Sequence, residues 1–359
     1  MARPITRKRR FARAIFILFV LAAAGSGAAW WWIFLRHPAG NGKPPGPRGP
    51  DLAVFVDARS LATVDARLEV YAPDEEAARL AMEAAFARGA EILARCAHQD
   101  PESELSKLSD APAGQPVPIS PTLAAVLAHA QATAELTDGL IDPTRGALAE
   151  IWRKCAAAGT RPDSDEVARA TAAAGWSSIH VDPARNIVVL EKPGIQFEIT
   201  GIARGFAADE MLGVLDKHGL PCALVTIADT IRAGRPPPDQ AGWRVGIRTF
   251  GASVVDHITV SNCAVSTAGD LYRFVEMDGM RYSHLLDPAT GLGLSRRIAA
   301  TVVAPTATQS NPFATFSCIV PETALHVFAG GEISCRIVTI DDLTPVERAT
   351  SNFPPIGIP

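Results

Sequence analysis

The chain has 359 residues, 48% of them hydrophobic, and a formal net charge of −4. At about 100–200 residues per domain this length allows one large domain or two ordinary ones, with ample apolar material for a core. The charge balance, with no long basic stretch after the N-terminus, excludes nucleic acid as an expected partner, and six scattered cysteines without a Cys-x-x-Cys exclude a zinc knuckle or a thioredoxin-like pair.

Residues 1–13 form a basic flank, with Arg3, Arg7, Lys8, Arg9, Arg10 and Arg13 and no acid. Residues 14–35 then run without a charge, long enough as a helix to cross a bilayer core of about 30 Å. Trp30, Trp31 and Trp32 near the far end read as an interfacial belt, and the basic flank reads as cytoplasmic. The segment is read as an uncleaved transmembrane anchor; a cleaved signal peptide is the alternative, since the basic start and Ala/Gly-rich middle suit both. With the basic flank cytoplasmic, the folded part is expected on the non-cytoplasmic side of the membrane. Residues 36–50 are Gly/Pro-rich and polar, a semi-extended linker that packs no core.

The folded part is expected over 51–343. Strand-like runs at Leu52–Val56 and Ala66–Tyr71 precede a helix capped by Asp74 and reaching about Cys96. A short helix enters through Ser103, and another spans Pro121–Leu136 before the Thr137-Asp138-Gly139 turn. Asp163 caps a helix to about Gly175, and strands Ile179–Val181 and Ile187–Leu190 flank a turn. A helix over Ile202–Lys217 follows Glu198-Ile199-Thr200-Gly201, and strands are expected at Ala223–Ile227, Arg244–Arg248, Ile258–Ser261 and Ala299–Val303. A helix opening near Thr308 runs through Phe316, and Ile337–Ile340 closes the sheet. Trp152 is expected to pack a helix against that sheet. Residues 344–359 read as a loosely ordered, Pro-containing tail. Strands mixed with helices, without regular βαβ alternation, argue an α+β fold: a single mixed-sheet domain behind the N-terminal anchor.

The densest chemistry lies in Ser283-His284-Leu285-Leu286-Asp287-Pro288-Ala289-Thr290-Gly291. Proline fixes φ and Gly291 admits positive φ, so the segment is a stiff turn carrying an imidazole and a carboxylate. A stiff turn at a strand end suits chemistry; a purely structural turn, its histidine satisfying a buried carbonyl, is the alternative.

Six segments together resemble the ApbE-type flavin transferases, the FAD:protein FMN transferases, across most of 51–340. Ser103-Glu104-Leu105-Ser106 is similar to the family's early Ser-Glu-Leu segment, and Thr137 to Thr144 to its Thr-Asp-Gly-x-Phe-Asp-Pro-Thr. Gly201 to Asp209 resembles Gly-Ile-Ala-Lys-Gly-Tyr-Ala-x-Asp, and Trp243 to Ile247 matches Trp-x-Val-x-Ile. Ser266 to Asp270 is similar to Thr-Ser-Gly-Asp, and His284 to Gly291 matches His-x-x-Asp-Pro-x-Thr-Gly in full. The resemblance implies FAD as substrate, magnesium as cofactor, and transfer of FMN to a Thr or Ser hydroxyl of an acceptor protein, expected to be a membrane redox subunit. It implies His284 and Asp287 as catalytic residues. It puts Leu61, Thr137, Asp138, Gly139, Glu198, Arg204 and Leu285 at the flavin nucleotide, and Gly201, Asn311 and Thr315 at the metal.

The chain departs from the family pattern at several of these positions. Asn311 stands where the family has a metal-binding aspartate, and a helix N-cap with Pro312 at N1 is its alternative reading. Ala228-Asp229-Thr230 replaces Gly-Gly-Asp, Glu198 an aspartate, Arg204 a lysine and Leu61 a methionine, and His98 or Gln99 falls where an aromatic is expected. A non-catalytic flavin-binding or scaffold protein on the same fold, its metal site decayed, is therefore the second functional reading.

Overall fold

The computed structural model describes residues 52–248, 250, 256–271, 274–277 and 279–357. The flank, anchor and linker expected over 1–50 lie outside the described residues. No helix of the described residues is long and apolar enough to cross a membrane.

In chain order the elements are β1 (Ala53–Leu61), β2 (Val64–Ala72), α1 (Glu75–Arg95), α2 (Glu104–Ser109), β3 (Pro116–Pro118), α3 (Pro121–Leu136), α4 (Gly146–Ala158), α5 (Ser164–Ala173), β4 (Ile179–Asp182) and β5 (Ile187–Leu190). Then follow α6 (Thr200–Lys217), β6 (Ala223–Ile227), β7 (Thr230–Ala233), β8 (Trp243–Ile247), β9 (Asp256–Val260), β10 (Ala264–Gly269), β11 (Phe274–Met277) and β12 (Met280–Ser283). The chain continues through β13 (Ile298–Ala304), α7 (Ala307–Ile319), α8 (Pro321–Val327), β14 (Ser334–Asp341) and β15 (Thr344–Ala349). Eight strands build the main sheet in the order β1-β2-β6-β7-β10-β13-β14-β15. Every pairing in it is antiparallel. The α+β class holds, but the sheet is not mixed: hairpins join three of its seven neighbouring pairs, and the longer connections also return strands antiparallel.

Period-two alternation decides which side of each strand is buried. On β2, Ala66, Leu68, Val70 and Ala72 face the core beneath α1 and α6, with Ala81, Phe86, Ile92 and Met211 packed on them. The whole of β13 is buried because it is covered twice. Ile298, Ala300, Val302 and Ala304 pack under Phe313, Phe316 and Phe328. On the other face Val303 joins Trp243, Val245 and Ile258 of the β8–β9 hairpin. The six cysteines are free thiols; burial pushes those of Cys96 and Cys318 up to about 12, which makes them core residues rather than reagents.

Two expectations are corrected at the periphery. Residues 344–349 are no loose tail but the edge strand β15, paired with β14 in place of Ile337–Ile340 as the closing strand. The reason is electrostatic: Arg336 donates to both carboxylate oxygens of Glu347 at 2.6 Å, and also to Asp256 at 2.6 Å. Pro345 is tolerated because an edge strand need not donate every N–H. Trp152 packs not on the main sheet but edge-to-face on Tyr282 of the β11–β12 hairpin, ring centroids 5.6 Å apart.

What positions the site is the crossing of α6 and α7. Any side chain at Gly205 would run into the Ala307 backbone carbonyl, so only glycine permits the approach there, while one at Gly201 would have to push the Asn311 side-chain amide aside. Asp209, one further turn along α6, then caps the start of α7. It accepts from the backbone N–H of Ala307 (2.9 Å) and of Thr308 (2.8 Å), and from the Thr308 hydroxyl (2.7 Å). Thr306, the nominal N-cap, makes no such bond. Arg232 of β7 sits 2.8 Å from Asp209 Oδ1, at an angle that makes an ion pair rather than a hydrogen bond. Replacing Asp209 with Ala strands a helix terminus and a mostly buried guanidinium together. It should lower the unfolding free energy by about 3 kcal/mol, measured by urea titration of the purified protein.

Candidate active site

A cleft of about 1620 Å³ opens where the N-terminus of α6, the middle of α7, the β6–β7 turn and the His284 loop meet. Drug-sized ligands occupy pockets of about 300–1,000 Å³, so this one has room for a dinucleotide. Of the residues implied for the site, Glu198, Gly201, Arg204, His284, Leu285, Asn311 and Thr315 line it.

Helix α6 starts at Thr200, two residues earlier than expected, with Ile199 at the N-cap making no side-chain bond. Glu198 takes over part of that role, accepting the Thr200 N–H at 3.0 Å. The 18-residue helix therefore points its N-terminus and Arg204 into the cleft, a combination that attracts phosphate. Among the described residues no ion pair engages Arg204, and its Nε is buried without a hydrogen-bond partner.

The His284 loop is a tight hairpin extension. Ser283 N–H donates to the Leu294 carbonyl and Leu294 N–H to that of Leu285, both at 2.8 Å, and Leu286 bridges Gly293. Ser283 Oγ accepts the Leu285 N–H at 3.0 Å. Leu285 belongs to the core and also lines the cleft, while His284 beside it is exposed there. Asp287 does not line the cleft. Its Oδ1 accepts from Ala289 N–H at 2.8 Å, and its carbonyl from Gly291 N–H at 2.8 Å. Asp287 thus commits its side chain and its carbonyl to the turn that follows His284. Gly291, at φ +69°, closes the same turn.

Four further implied residues lie away from the cleft. Leu61 is 5% exposed and packs in the core near Gly89; the hairpin reaches the cleft with Ala62, Thr63 and Val64 instead. Thr137 is buried, its hydroxyl donating to the Thr133 carbonyl (2.8 Å) and accepting the Ile141 N–H (3.1 Å). Asp138 and Gly139 adopt positive φ to end α3, and Gly139 lies against the Trp176 indole. That segment reaches the cleft through Leu140, Ile141, Asp142 and Arg145. The Ser-Glu-Leu segment also proves architectural: Glu104 accepts from the backbone N–H and hydroxyl of Ser120 and from Arg95, tying α2 to α3 and α1.

Sequence reasoning missed a polar cluster at the cleft wall. His98, which with Gln99 stands where the aromatic is expected, lies 3.4 Å from Glu198 Oε2 through Nε2 and 3.3 Å from Thr200 Oγ1 through Nδ1. Arg153 of α4 reaches the same Nε2 at 3.3 Å. An imidazole thus knits the end of α1 to the start of α6. The missing aromatic was the one signal for it.

The implied metal ligands test poorly. Asn311 is not an N-cap: α7 begins at Ala307, so Asn311 lies a full turn inside it and Pro312 is an interior proline. Its Nδ2 donates to Thr230 Oγ1 at 2.7 Å while Oδ1 is pressed against Gly201. Asn311, the Gly201 carbonyl and Thr315 offer only neutral oxygens, whereas magnesium favours carboxylates. Among the described residues no group of three or more His, Cys, Asp or Glu side chains could hold a metal ion. Asp229 lines the cleft from the β6–β7 turn, where Ala228 takes φ +51° in the place of a glycine. The residues present do not fit magnesium.

An α+β domain with a dinucleotide-sized cleft, a helix N-terminus and an arginine on its wall, and an exposed histidine on a rigid loop is the class that fold and site define. Its relatives are flavin transferases. The ApbE family model matches residues 60–336, and the chain belongs to that family. The FAD:protein FMN transferase of Treponema pallidum is 29% identical over 254 residues, 66% of this chain and 68% of that protein. The FAD:protein FMN transferase of Vibrio cholerae is 28% identical over 262 residues, 71% and 78% of the two chains. Among solved structures, the flavin transferase ApbE from Vibrio cholerae superposes with a TM-score of 0.72 at 22% identity, covering 84% of this chain and 98% of its own. The ApbE protein from Thermotoga maritima does so at 0.75 and 24%, covering 84% and 98%; these two likenesses establish the fold.

Asn311→Asp tests the donor set. Thr230, whose hydroxyl now accepts from Asn311, can turn and donate to a carboxylate, so the fold should tolerate the change. The variant should bind magnesium at least about tenfold more tightly than the wild type, read by isothermal titration of each protein with magnesium chloride.

Proposed function

We propose that the protein is a FAD:protein FMN transferase, moving FMN from FAD onto a Thr or Ser hydroxyl of an acceptor protein. One observation carries the reading: Arg204 with the N-terminus of α6, and His284, line a single cleft large enough for FAD. The acceptor hydroxyl attacks the FMN-side phosphorus of the pyrophosphate. A new P–O ester bond forms, the bridging P–O bond breaks, and AMP leaves with the electron pair. His284 takes the hydroxyl proton as a neutral imidazole, a role for which histidine is the usual side chain near neutral pH. Arg204 and the α6 N–H groups offset charge on the phosphoryl oxygens, a bidentate guanidinium doing so without a metal. Asp287 forms the turn that follows His284, and Leu285 supplies apolar wall beside the histidine. Magnesium, implied by the family resemblance, is assigned no step because the donor set does not fit it.

The alternative, a flavin-binding scaffold without turnover, is favoured chiefly by Asn311, with Ala228-Asp229-Thr230 in place of Gly-Gly-Asp beside it. Incubating the protein with FAD and a Thr-containing acceptor domain, then reading flavin fluorescence on a denaturing gel, separates the two. Transfer should be seen. His284→Ala should reduce it by at least about 10²-fold with FAD affinity within about twofold, because general-base catalysis contributes about 10²–10⁴ and acts in the transition state. Arg204→Glu should instead weaken FAD binding itself, by at least about tenfold. Binding without transfer to any acceptor would favour the scaffold.

We infer that the domain works outside the cytoplasm, tethered to a bacterial inner membrane, on an acceptor such as a membrane redox subunit. The basic residues 1–13, the uncharged 14–35 and the three tryptophans support this. An alkaline phosphatase fusion after Pro50 should be active; an inactive fusion alongside a fluorescent cytoplasmic reporter at the same point would contradict it.

A further inference from the structure

Apart from its histidines, the described aromatic residues of the cleft are Trp152, Phe274 and Tyr282. Trp152 and Tyr282 are 4% and 7% exposed and are occupied with each other. Phe274 is 44% exposed. It opens β11 directly opposite Ser283, the residue before His284. Its ring is held from one side: Cζ of Arg281 lies 3.2 Å from the ring centroid. Arg281 is itself anchored, donating from Nε to Asp270 Oδ2 at 2.8 Å and from Nη2 to the Asp270 carbonyl at 2.9 Å. Asp270, 1% exposed, is fixed in turn by the Ile298 N–H of β13 at 3.1 Å. A chain of contacts thus runs from the central sheet through Asp270 and Arg281 to one face of an exposed phenyl ring.

Such an arrangement has a physical consequence. The guanidinium satisfies one face of the ring through its quadrupole and restrains its rotamer, leaving the exposed part of the ring presented to the cleft. A restrained, solvent-facing phenyl is costly on its own, because apolar area stays in water. A flat ring laid against it would recover that area with little further loss of side-chain freedom.

We propose that Phe274 is a stacking surface for a planar ring system of FAD and a specificity-determining residue of the cleft. The proposal rests on the flavin reading above. Asp270, within the Ser266–Asp270 segment, thereby gains a defined role, that of orienting Arg281 so that the ring is held. The chemistry recognised is a flat heteroaromatic ring, and two parts of FAD supply one, the isoalloxazine and the adenine.

The test is titration of the full-length protein with FAD, FMN, ADP and inorganic pyrophosphate, for the wild type, Phe274→Leu and Phe274→Tyr, with thermal melts alongside. Leucine keeps apolar bulk and removes the ring; tyrosine keeps the ring. Phe274→Leu should weaken FAD binding about tenfold while Phe274→Tyr stays within about twofold, a stacking loss of ordinary size. A drop shared with FMN alone assigns the isoalloxazine, and one shared with ADP alone assigns the adenine; either sustains the proposal. Unchanged FAD affinity in Phe274→Leu would overturn it and leave the flavin reading intact, as would equal losses for all four ligands, which mark a general distortion. A wild type that binds none of FAD, FMN and ADP would sink the flavin reading itself.

Discussion

The site depends on one close approach, that of helices Thr200–Lys217 and Ala307–Ile319. Gly205 lets the backbones meet, Gly201 a turn earlier leaves room for the Asn311 side chain, and the Asp209 carboxylate locks the second helix by its N-terminus. Both parts are needed. Without Gly205 the helices would stand apart, and without Asp209 the start of the second helix would have unpaired N–H groups with no side-chain cap of its own. Because the crossing fixes the rotation of both helices, Arg204 and Asn311 come to line one cleft although more than a hundred residues separate them. The His284 loop, built on a separate hairpin, then closes the far side.

Motif residues divide into those that build and those that face a ligand, and the division does not follow how chemical the residue looks. Glu104, Thr137, Asp209 and Asp287 are polar, yet each is spent on backbone N–H groups or carbonyls at a helix end or a turn. Glu198 does both jobs, capping one helix while contacting His98 in the cleft. Arg204 and the exposed His284 carry the charge and the transferable proton of the proposed reaction. With neutral oxygens at the implied metal position, the proposed reaction draws its phosphate-neutralising charge from the Arg204 guanidinium and the helix N-terminus.

Much of this was legible from the residues alone. Alternation along Ala66–Tyr71, the Asp74 and Ser103 caps and the run of alanines to Cys96 gave elements that the fold contains within a residue or two. Two of the elements the sequence did not show are strands whose support lies in the paired sheet. Strand Ala264–Gly269 is made of small and hydroxyl residues, AVSTAG, whose β character comes from burial between neighbours rather than from side-chain preference. Strand Thr344–Ala349 carries a proline, and what holds it is Arg336 on the neighbouring strand, a partner visible only once the sheet is paired. At the site, the family resemblance pointed to His284 and Arg204, which do line the cleft, but could not tell a liganding Thr137 from one capping its own helix, because both uses need the same residue at the same place. Leu61 shows the same limit: a strand-end leucine can face a ligand or the core, and strand register chose the core.

Everything proposed for the reaction turns on where the pyrophosphate of FAD lies, and a crystal structure of the protein with FAD bound tests that most directly. It should show the two phosphates within hydrogen-bond distance of the Arg204 guanidinium and the first N–H groups of helix Thr200–Lys217, with the FMN-side phosphorus facing His284. Phosphates bound elsewhere, with Arg204 and His284 untouched, would contradict it.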